Sequence, residues 1–389
     1  MAYELLVQQP ETPITEKWIW QTDVMVADDG TEQRVSLGAV PKRNWSGNFA
    51  FDREQDIRRH IATMFAKFKA TFNWPLFHMA VKLKVKAAIG ATTLICNPAR
   101  SDFRPGMSAL IIEGDVFEVV TIDEVNVDNL ALLAPLAKAF SNRASICPLV
   151  VAYSSDNSSF IRRPVNHAGS ASFTFFEDGF LAPFIEEAAK ATLQMFGGYP
   201  VLNKRAVGTE FSQSVVTGLE ITDYGAWPSL RSSWASSQFA FPLTFKSPRG
   251  FDPADWTWWQ TFADYCRGST NPFFLPTWRD DFQVFTAVAG GGNQVTLAGT
   301  EYSEHYHPSP SFRRIVITKP DGTQHFAAVT GVALVGGNDR LTFTPAIPAG
   351  DWSGQSVSLL LKCRIADDTV STEHGGLNSL VTLNIRTVD

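Results

Sequence analysis

Two stretches of the chain carry apolar residues at helical spacing. The first begins at Asp52, a plausible N-cap with Gln55 three residues on, and the second at Asp252-Pro253, an N-cap followed by proline at the first helical position. Gly268 is a natural C-cap for the second. The pattern therefore predicts two amphipathic helices, whose apolar stripes are Ile57, Ile61, Met64, Phe65, Phe68 and Phe72, and Trp258, Trp259, Phe262, Tyr265 and Cys266.

The segments after the two helices are similar to each other. An aromatic–proline run comes first, at residues 72–77 and 271–278. Segments 91–136 and 293–347 then alternate short β-rich runs with turn residues, a pattern typical of small β-barrels. A strand with one cysteine, Cys147 or Cys363, and a closing strand at 166–176 or 373–385 complete each half.

Local matches support a duplication. The segments KRNWSGNFAF (42–51) and RSSWASSQFAF (231–241) share a tryptophan, a polar spacer and Phe-Ala-Phe. Residues 117–122 align with 326–331, and 130–136 with 341–347. Because the same elements recur in the same order, we interpret the chain as a tandem repeat.

A third apolar stripe lies between the two copies. Its residues recur at helical spacing up to Gly197-Gly198, which would stop a helix, so the pattern predicts a linker helix: Leu181, Phe184, Ile185, Ala188, Leu193 and Phe196.

The predicted fold class is mainly β (α+β), with two tandem split β-barrels that each carry one packed helix and an inserted small β-barrel domain. The first split barrel is assigned to 1–87 and 153–178, with its insert at 88–152. The linker helix spans 179–200. The second split barrel takes 201–289 and 367–389, with its insert at 290–366. A length of 389 residues fits this multidomain plan.

Composition narrows the possible functions. The net charge is −6 and no block of Lys and Arg stands out, so we expect no nucleic-acid groove. No apolar run reaches the length of a membrane span and no secretory signal opens the sequence, so we expect a soluble chain made in a cytoplasm. The four cysteines are far apart, which argues against a disulfide scaffold or a zinc site.

The sequence offers no catalytic, cofactor or metal motif, and we predict no enzyme activity. His305 and His307 could hold a metal, but no carboxylate or cysteine spacing completes a site, so a loop with exposed histidines is favoured. Asp280 and Asp281 are adjacent and would point to opposite faces of a strand, so an exposed turn is favoured over paired acid–base work.

Matching residues in the two copies have structural explanations. His167 and His374 each stand beside a glycine and are interpreted as symmetric turns, and Cys147 and Cys363 as small core residues on equivalent strands. The aromatic–proline runs could stack on sugars, but we favour packing at the end of a barrel beside the helix. Their large side chains are Trp74, Phe77, Phe273, Phe274 and Trp278.

Several of these segments resemble the tail-tube-like split barrel of bacteriophage distal tail and baseplate-hub proteins. The likeness is carried by residues 29–34 (DGTEQR), by 41–43 (PKR), by the strand with Trp45, Phe49 and Phe51, and by the helix leading into NWPLF. The second copy keeps this frame but has ITDYGAWPSLRSSW where the first has Glu-Gln-Arg. Some hub relatives hold an iron–sulfur cluster in grouped cysteines, which the scattered cysteines here do not match.

The resemblance implies a structural virion protein, made in the host cytoplasm, that forms a ring joining the tail tube to hub and fibre proteins. Split barrels leave strand edges unpaired, and pairing each edge with the next subunit closes a ring. Two barrels per chain favour a trimer with pseudo-six-fold symmetry. A hexamer with one barrel per chain in the ring is the alternative.

Two other classes of function remain open at this point. A carbohydrate- or receptor-binding tail-tip adhesin would use the inserted β-domains, at about 88–152 and 290–366. A glycosidase would need two carboxylates about 5–10 Å apart in a cleft, and the sequence gives no way to pair them.

Overall fold

The computed structural model describes residues 4–6, 8–27, 32–66, 70–154, 159–163, 168–179, 185–208, 213–217, 219–223, 228–232, 238–248, 252–376 and 378–388. Strands hold 49% of the described residues and helices 13%, so the predicted mainly-β class is confirmed. Among the described residues, no helix combines the length and the apolar character needed to cross a membrane.

The first half of the chain contains one α-helix among short and medium strands. They are β1 (Glu4–Leu5), β2 (Ile14–Ile19), β3 (Thr22–Val26), β4 (Glu32–Ser36), β5 (Lys42–Phe51), α1 (Glu54–Ala66), β6 (Phe72–Pro75), β7 (Val81–Lys82), β8 (Thr93–Ile95), β9 (Ser108–Glu113), β10 (Val116–Val125), β11 (Asn129–Leu132), β12 (Ser145–Ser154), β13 (Phe160–Arg163) and β14 (Ala168–Glu177). Short 3-10 turns lie at Phe77–Met79 and Pro98–Arg100.

The second half has a similar series of elements. They are β15 (Met195–Phe196), β16 (Tyr199–Pro200), β17 (Ser214–Val216), β18 (Leu219–Asp223), β19 (Pro228–Ser232), β20 (Gln238–Ser247), α2 (Pro253–Cys266), β21 (Phe273–Pro276), β22 (Val284–Thr286), β23 (Gln294–Leu297), β24 (Arg314–Thr318), β25 (Gln324–Val335), β26 (Asn338–Thr344), β27 (Ser356–Ile365), β28 (Thr369–Gly375) and β29 (Asn378–Thr387). Turns of 3-10 or π type lie at Glu187–Ala189, Tyr302–Tyr306 and Pro310–Phe312.

The strand pairings of the first half recur in the second. β14 pairs with β5, β12 and β13, and β6 pairs with β12; β29 pairs with β20, β27 and β28, and β21 with β27. Between these, the order β8-β11-β10-β9-β12 matches β23-β26-β25-β24-β27. The β10–β11 ladder has an irregularity after Ile122, and the β25–β26 ladder has one after Val329. We call β2–β14 the first unit and β17–β29 the second unit.

The register shows which sequence matches are equivalent in space. Leu130 lies opposite Leu94, and Leu341 opposite Val295, so 130–136 and 341–347 do correspond. The match of 117–122 with 326–331 is wrong by two residues, because Phe117 takes the place of Gln324. The Phe-Ala-Phe match does not correspond, because the β5–β14 ladder starts with Asn44 opposite Phe176 and the β20–β29 ladder with Ala240 opposite Arg386. Phe241 therefore takes the place of Trp45, not of Phe51. Alternating aromatic residues let the alignment slip along the strand without changing its pattern.

The two helices pack differently from one another. In α2 every residue of the predicted stripe is buried except Tyr265, which is half-buried. In α1 the predicted stripe is partly wrong: Phe65 is 84% exposed, whereas His60 is buried against the rings of Phe49 and Phe51. Phe72 belongs to β6, and Phe68 lies outside the described residues.

The N-cap of α2 gives a direct test of its predicted start. The Asp252 carboxylate accepts hydrogen bonds from the amides of Ala254 (3.1 Å) and Asp255 (3.3 Å). We expect Asp252→Ala to lower the free energy of unfolding by about 1 kcal/mol, measured by chemical denaturation. Asp280→Ala removes an exposed turn carboxylate and serves as the control. An equal loss in both variants would contradict the capping role.

The C-cap of α2 is Arg267, in the left-handed region one residue before the predicted Gly268.

The predicted linker helix is wrong over its described part. Residues 185–198 form only the 3-10 turn Glu187–Ala189, an extended stretch and the strand β15. The extended chain runs along α2, where the amide of Ala191 donates to Thr261 Oγ1 (2.9 Å) and Lys190 pairs with Asp264 (2.8 Å). Packing against the second unit, rather than helical periodicity, explains the apolar residues of this segment.

Candidate functional site

The two units are joined through one strand of the first. β2 pairs with β5 of its own unit and, along its other edge, with β28 of the second unit, from Ile14 opposite His374 to Ile19 opposite Thr369. Trp18 on β2 is 1% exposed and packs against Trp256 of α2, with ring centres 5.5 Å apart. We call this contact the joint; it makes one continuous sheet of the two units.

Charged side chains reinforce the joint beside the β3–β4 hairpin. Glu32 accepts hydrogen bonds from Arg386 (2.6 Å) and Arg34 (2.9 Å), and Arg364 lies 3.7 Å away. Partial burial raises the pKa of Glu32, but the hydrogen bonds from Arg34 and Arg386 outweigh it and hold the pKa below its usual range. The Asp368 carboxylate accepts from the amide and the hydroxyl of Thr22, each at 2.7 Å. The hairpin is thus fixed on the second unit by ionic contacts.

A buried cluster of ionisable groups lies within the joint. Glu16 on β2 is fully buried, and its Oε2 lies 2.9 Å from Nε2 of His374 and 3.4 Å from Nε2 of His78. Nδ1 of His374 makes a second hydrogen bond, to Ser379 Oγ at 2.9 Å. Burial acts to raise the pKa of Glu16, but the hydrogen bonds from His374 and His78 hold it well below its usual range.

Glu16, His78 and His374 are also residue types that bind metal ions, and among the described residues they form a cluster of such groups. Their ligand atoms all lie within 4.8 Å of one another, and two imidazoles with a carboxylate are a common zinc set. However, the rings of His78 and His374 are stacked with centres 4.4 Å apart and planes inclined by only 22°. Imidazole lone pairs lie in the ring plane, so these two lie in nearly parallel, separate planes, which disfavours their meeting at one metal ion. The arrangement favours a hydrogen-bonded cluster centred on Glu16 Oε2.

The sequence analysis missed this cluster and misread one of its members. His374 is not a symmetric turn residue, because it is buried at the joint and bonded to Glu16, 358 residues away in the chain. No local spacing could signal such a contact. Its supposed counterpart His167 lies outside the described residues.

A buried arginine extends the ionic network into the first unit. Arg43 on β5 donates to both carboxylate oxygens of Glu177 (2.8 and 2.6 Å) and to Asp102 (3.0 Å), and it lies 4.0 Å from Glu16. Burial acts to lower the pKa of Arg43, but its carboxylate partners raise it, so the guanidinium stays charged. Arg43 therefore connects the joint to the closing strand β14 and to the inserted segment.

The other residues considered from the sequence are structural. His305 is exposed on the Tyr302–Tyr306 turn, as predicted, but His307 is half-buried beside the ring of Tyr302, so the predicted exposure is wrong for His307. Within the described ranges no cluster of metal-ligand groups includes either histidine. Asp281 accepts from the Leu359 amide (2.8 Å) and from Thr277, and burial raises its pKa. It therefore fixes the chain just after β21, and it is half-buried, so the predicted exposed turn is wrong for Asp281.

The cysteines are all buried thiols. Cys147 and Cys363 do lie on equivalent strands, β12 and β27, but at different positions. Cys363 faces Phe273, and the residue that corresponds to it is Ala152, which faces Phe72. Three of the aromatic side chains in the aromatic–proline runs, Trp74, Phe273 and Phe274, are at most 2% exposed, as expected for core packing.

In the part of the chain that the structure describes, β13 of the first unit and β17 of the second each pair along one edge only. β13 corresponds to β28, and β17 corresponds to β2, because each makes the matching pairings with its neighbours. Within the described residues, β13 pairs only with β14 and β17 only with β20. Both edges expose apolar side chains: Phe160 (36%), Ile161 (58%), Val215 (57%) and Val216 (41%). Exposed apolar edge strands are templates for pairing with another chain.

A comparison with protein-family models and with curated proteins finds no match to this chain. The functional interpretation therefore rests on the joint and on the two open edges.

Proposed function

We propose that the protein is a structural component of a bacteriophage tail tip that assembles into a closed ring through its open strand edges. The observation that carries the proposal is the joint itself. Inside the chain, the edge of β28 is covered by β2. The equivalent edges β13 and β17 stand open at the two ends of the sheet, so pairing β13 of one copy with β17 of the next repeats the joint between chains.

The residues at the joint within the chain differ from those at the proposed contact between chains, and the difference supports this assembly. Arg364 and Arg386, which hold Glu32 inside the chain, correspond to Tyr153 and Phe176 of the first unit, because both pairs face each other at the same point of their ladders. The two aromatic rings stack, with centres 5.5 Å apart, and Tyr153 is 43% exposed. On the opposite side, Glu32 and Arg34 are replaced by Pro228 and Leu230 at the matching positions of the hairpin.

Charged residues thus meet charged residues inside the chain, and apolar residues would meet apolar residues between chains. By residue type and register, the replacement is apolar on both sides of the proposed contact, which a surface facing only solvent would not require. It also hinders the wrong pairing, since an arginine cluster set against Pro228 and Leu230 would be desolvated without a partner.

The number of copies follows from the number of units. Both units contribute strands to one continuous sheet, so both would belong to the ring wall. A trimer then presents six units, which is why we favour it over a hexamer with one unit per chain in the ring. In the tail tip this ring would join the tail tube to hub and fibre proteins.

Cysteine cross-linking tests the strand pairing directly. In the joint Lys17 faces Ser371, and the corresponding residues of the open edges are Ser214 and Ser159. We expect Ser159→Cys/Ser214→Cys to form disulfide-linked oligomers up to the trimer on oxidation, because opposed strand residues lie within disulfide reach. The four native cysteines are buried and should not interfere.

The matched control is Ser159→Cys/Val215→Cys, in which a one-residue offset turns the second thiol to the other face of the sheet. Native mass spectrometry of the unmodified protein should give three times 42.9 kDa. A protein that stays monomeric at high concentration, or equal cross-linking of both pairs, would refute the ring. Immunogold labelling of particles tests the tail-tip location separately.

A further inference from the structure

A polar cleft of about 400 Å³ lies beside the second unit, away from the joint. It is lined by Gln194, Asn203, Arg205, Trp278, Thr318 and Gln324. Asn203 and Arg205 come from the segment that joins the two units, Trp278 lies just after β21, and Thr318 and Gln324 flank the β24–β25 turn. Its volume is within the range of ligand pockets, about 300–1,000 Å³.

Three residues that line this cleft each have a buried polar side-chain atom with no hydrogen-bond partner among the described residues. They are Oδ1 of Asn203, Nε1 of Trp278 and Nε2 of Gln324. Buried polar atoms are nearly always paired, because leaving one unpaired costs about 1–3 kcal/mol. Three such atoms around one opening indicate a place where a polar molecule supplies the missing partners.

A cation borders the same opening. The guanidinium of Arg205 lies 5.2 Å from the ring centre of Trp278, and no ion-pair partner for it is found in the described part of the chain. Its neighbour Lys204 pairs instead with Asp255. The lining contains no carboxylate; Asp321, in the nearby turn, accepts from the amide of Thr323. The cleft therefore favours an anion with hydrogen-bonding groups over a cation.

The backbone at Trp278 adds an independent sign of a specialised position. Its φ is 57°, in the left-handed region that a bulky residue rarely adopts. Non-glycine residues are held in this region at a cost of about 1–3 kcal/mol, and such residues cluster at binding sites.

The first unit shows that the fold does not require these polar residues. The register places Phe77, Ile112 and Phe117 at the positions of Trp278, Thr318 and Gln324. Phe77 and Ile112 pack there against a small apolar cluster that includes Leu110 and Leu149. The second copy has thus replaced apolar packing by polar groups at one place.

We propose that this cleft binds an acidic saccharide, that is, a sugar unit carrying a carboxylate. Arg205 would pair with the carboxylate, Nε1 of Trp278 and Nε2 of Gln324 would donate to ring or hydroxyl oxygens, and Oδ1 of Asn203 would accept from a hydroxyl. The indole provides an apolar wall for the sugar ring. This binding site does not depend on the ring assembly, so either proposal can fail alone.

Saturation-transfer NMR with glucuronate and glucose provides the test, since the two sugars differ only in the carboxylate. We expect glucuronate to bind with a Kd of about 1 mM and glucose at least about tenfold more weakly. Arg205→Gln should abolish the preference, and Gln324→Ala should weaken both sugars. Arg143→Gln, an exposed arginine in the first unit, is the matched control and should change nothing.

A second variant separates binding from folding. Trp278→Gly removes the indole while relieving the left-handed backbone, so we expect it to stay folded by thermal melting and to lose glucuronate binding. Failure of both sugars to bind, or binding unchanged in Arg205→Gln, Gln324→Ala and Trp278→Gly, would overturn the proposal. Displacement of glucuronate by an equal concentration of acetate would overturn the saccharide assignment, because it would reveal a general anion site.

Discussion

Glu16→Gln is expected to lower the free energy of unfolding by about 3 kcal/mol, because removing one partner from a buried ionic cluster leaves the others uncompensated. Glu16 is fully buried between His78 and His374, and no solvent can replace the lost charge. Chemical denaturation at neutral pH measures the loss. Glu373→Gln is the control, since Glu373 lies next to His374 on β28 but is exposed.

The pH dependence of the same variant has a definite sign. The folded-state pKa of Glu16 is depressed, so its contribution is fully present above the unfolded-state pKa and is lost as the pH falls through the folded value. We expect the wild type to lose stability in acid more steeply than Glu16→Gln, by up to about 1.4 kcal/mol per pH unit for this one proton. The two curves should converge at low pH. Parallel curves would show that ionisation of Glu16 does not contribute to the stability of the folded protein.

Val215→Asp is expected to abolish ring formation, raising the dissociation constant at least about a hundredfold. Val215 corresponds to Trp18, which is buried at the joint, so in the ring a charge at this position would be desolvated without a partner. In the monomer Val215 is 57% exposed, and the substitution should leave folding unchanged.

Analytical ultracentrifugation across a concentration series measures this effect. Leu334→Asp is the matched control, because Leu334 is also an exposed apolar residue, 66% accessible, but lies near the end of the β25–β26 hairpin, away from both open edges. Equal weakening by both substitutions, or unchanged assembly in Val215→Asp, would show that β17 is not the interface.

The sequence predicted the mainly-β class, the presence of both α-helices and the Asp252 N-cap, because periodicity and N-capping are local signals. The alignment of 130–136 with 341–347 also agreed with the register, since Leu130 and Leu341 are both fully buried at equivalent positions. The Phe-Ala-Phe match was wrong because alternating aromatic residues give the same sequence pattern at several registers of one strand.

The joint could not be predicted in the same way. Glu16, His78 and His374 meet only because β2 adds to the sheet of the second unit, a contact between distant parts of the chain. The prediction of a linker helix was wrong for a related reason. Ile185 and Leu193 recur at helical spacing, but packing against the second unit holds them in a non-helical, largely extended segment. Tertiary contacts decided both cases.

The exchange of Glu32, Arg34, Arg364 and Arg386 for Pro228, Leu230, Tyr153 and Phe176 has a consequence for how the proposed ring would come apart. Added salt screens the ionic contacts within each polypeptide but not the apolar contacts between polypeptides. Rising ionic strength should therefore weaken the contacts of Glu32 within a chain more than the contact between chains, and cooling, which weakens apolar burial, should act mainly on the contact between chains. Around the ring, contacts within chains and contacts between chains would alternate, and each kind would be weakened more by a different condition.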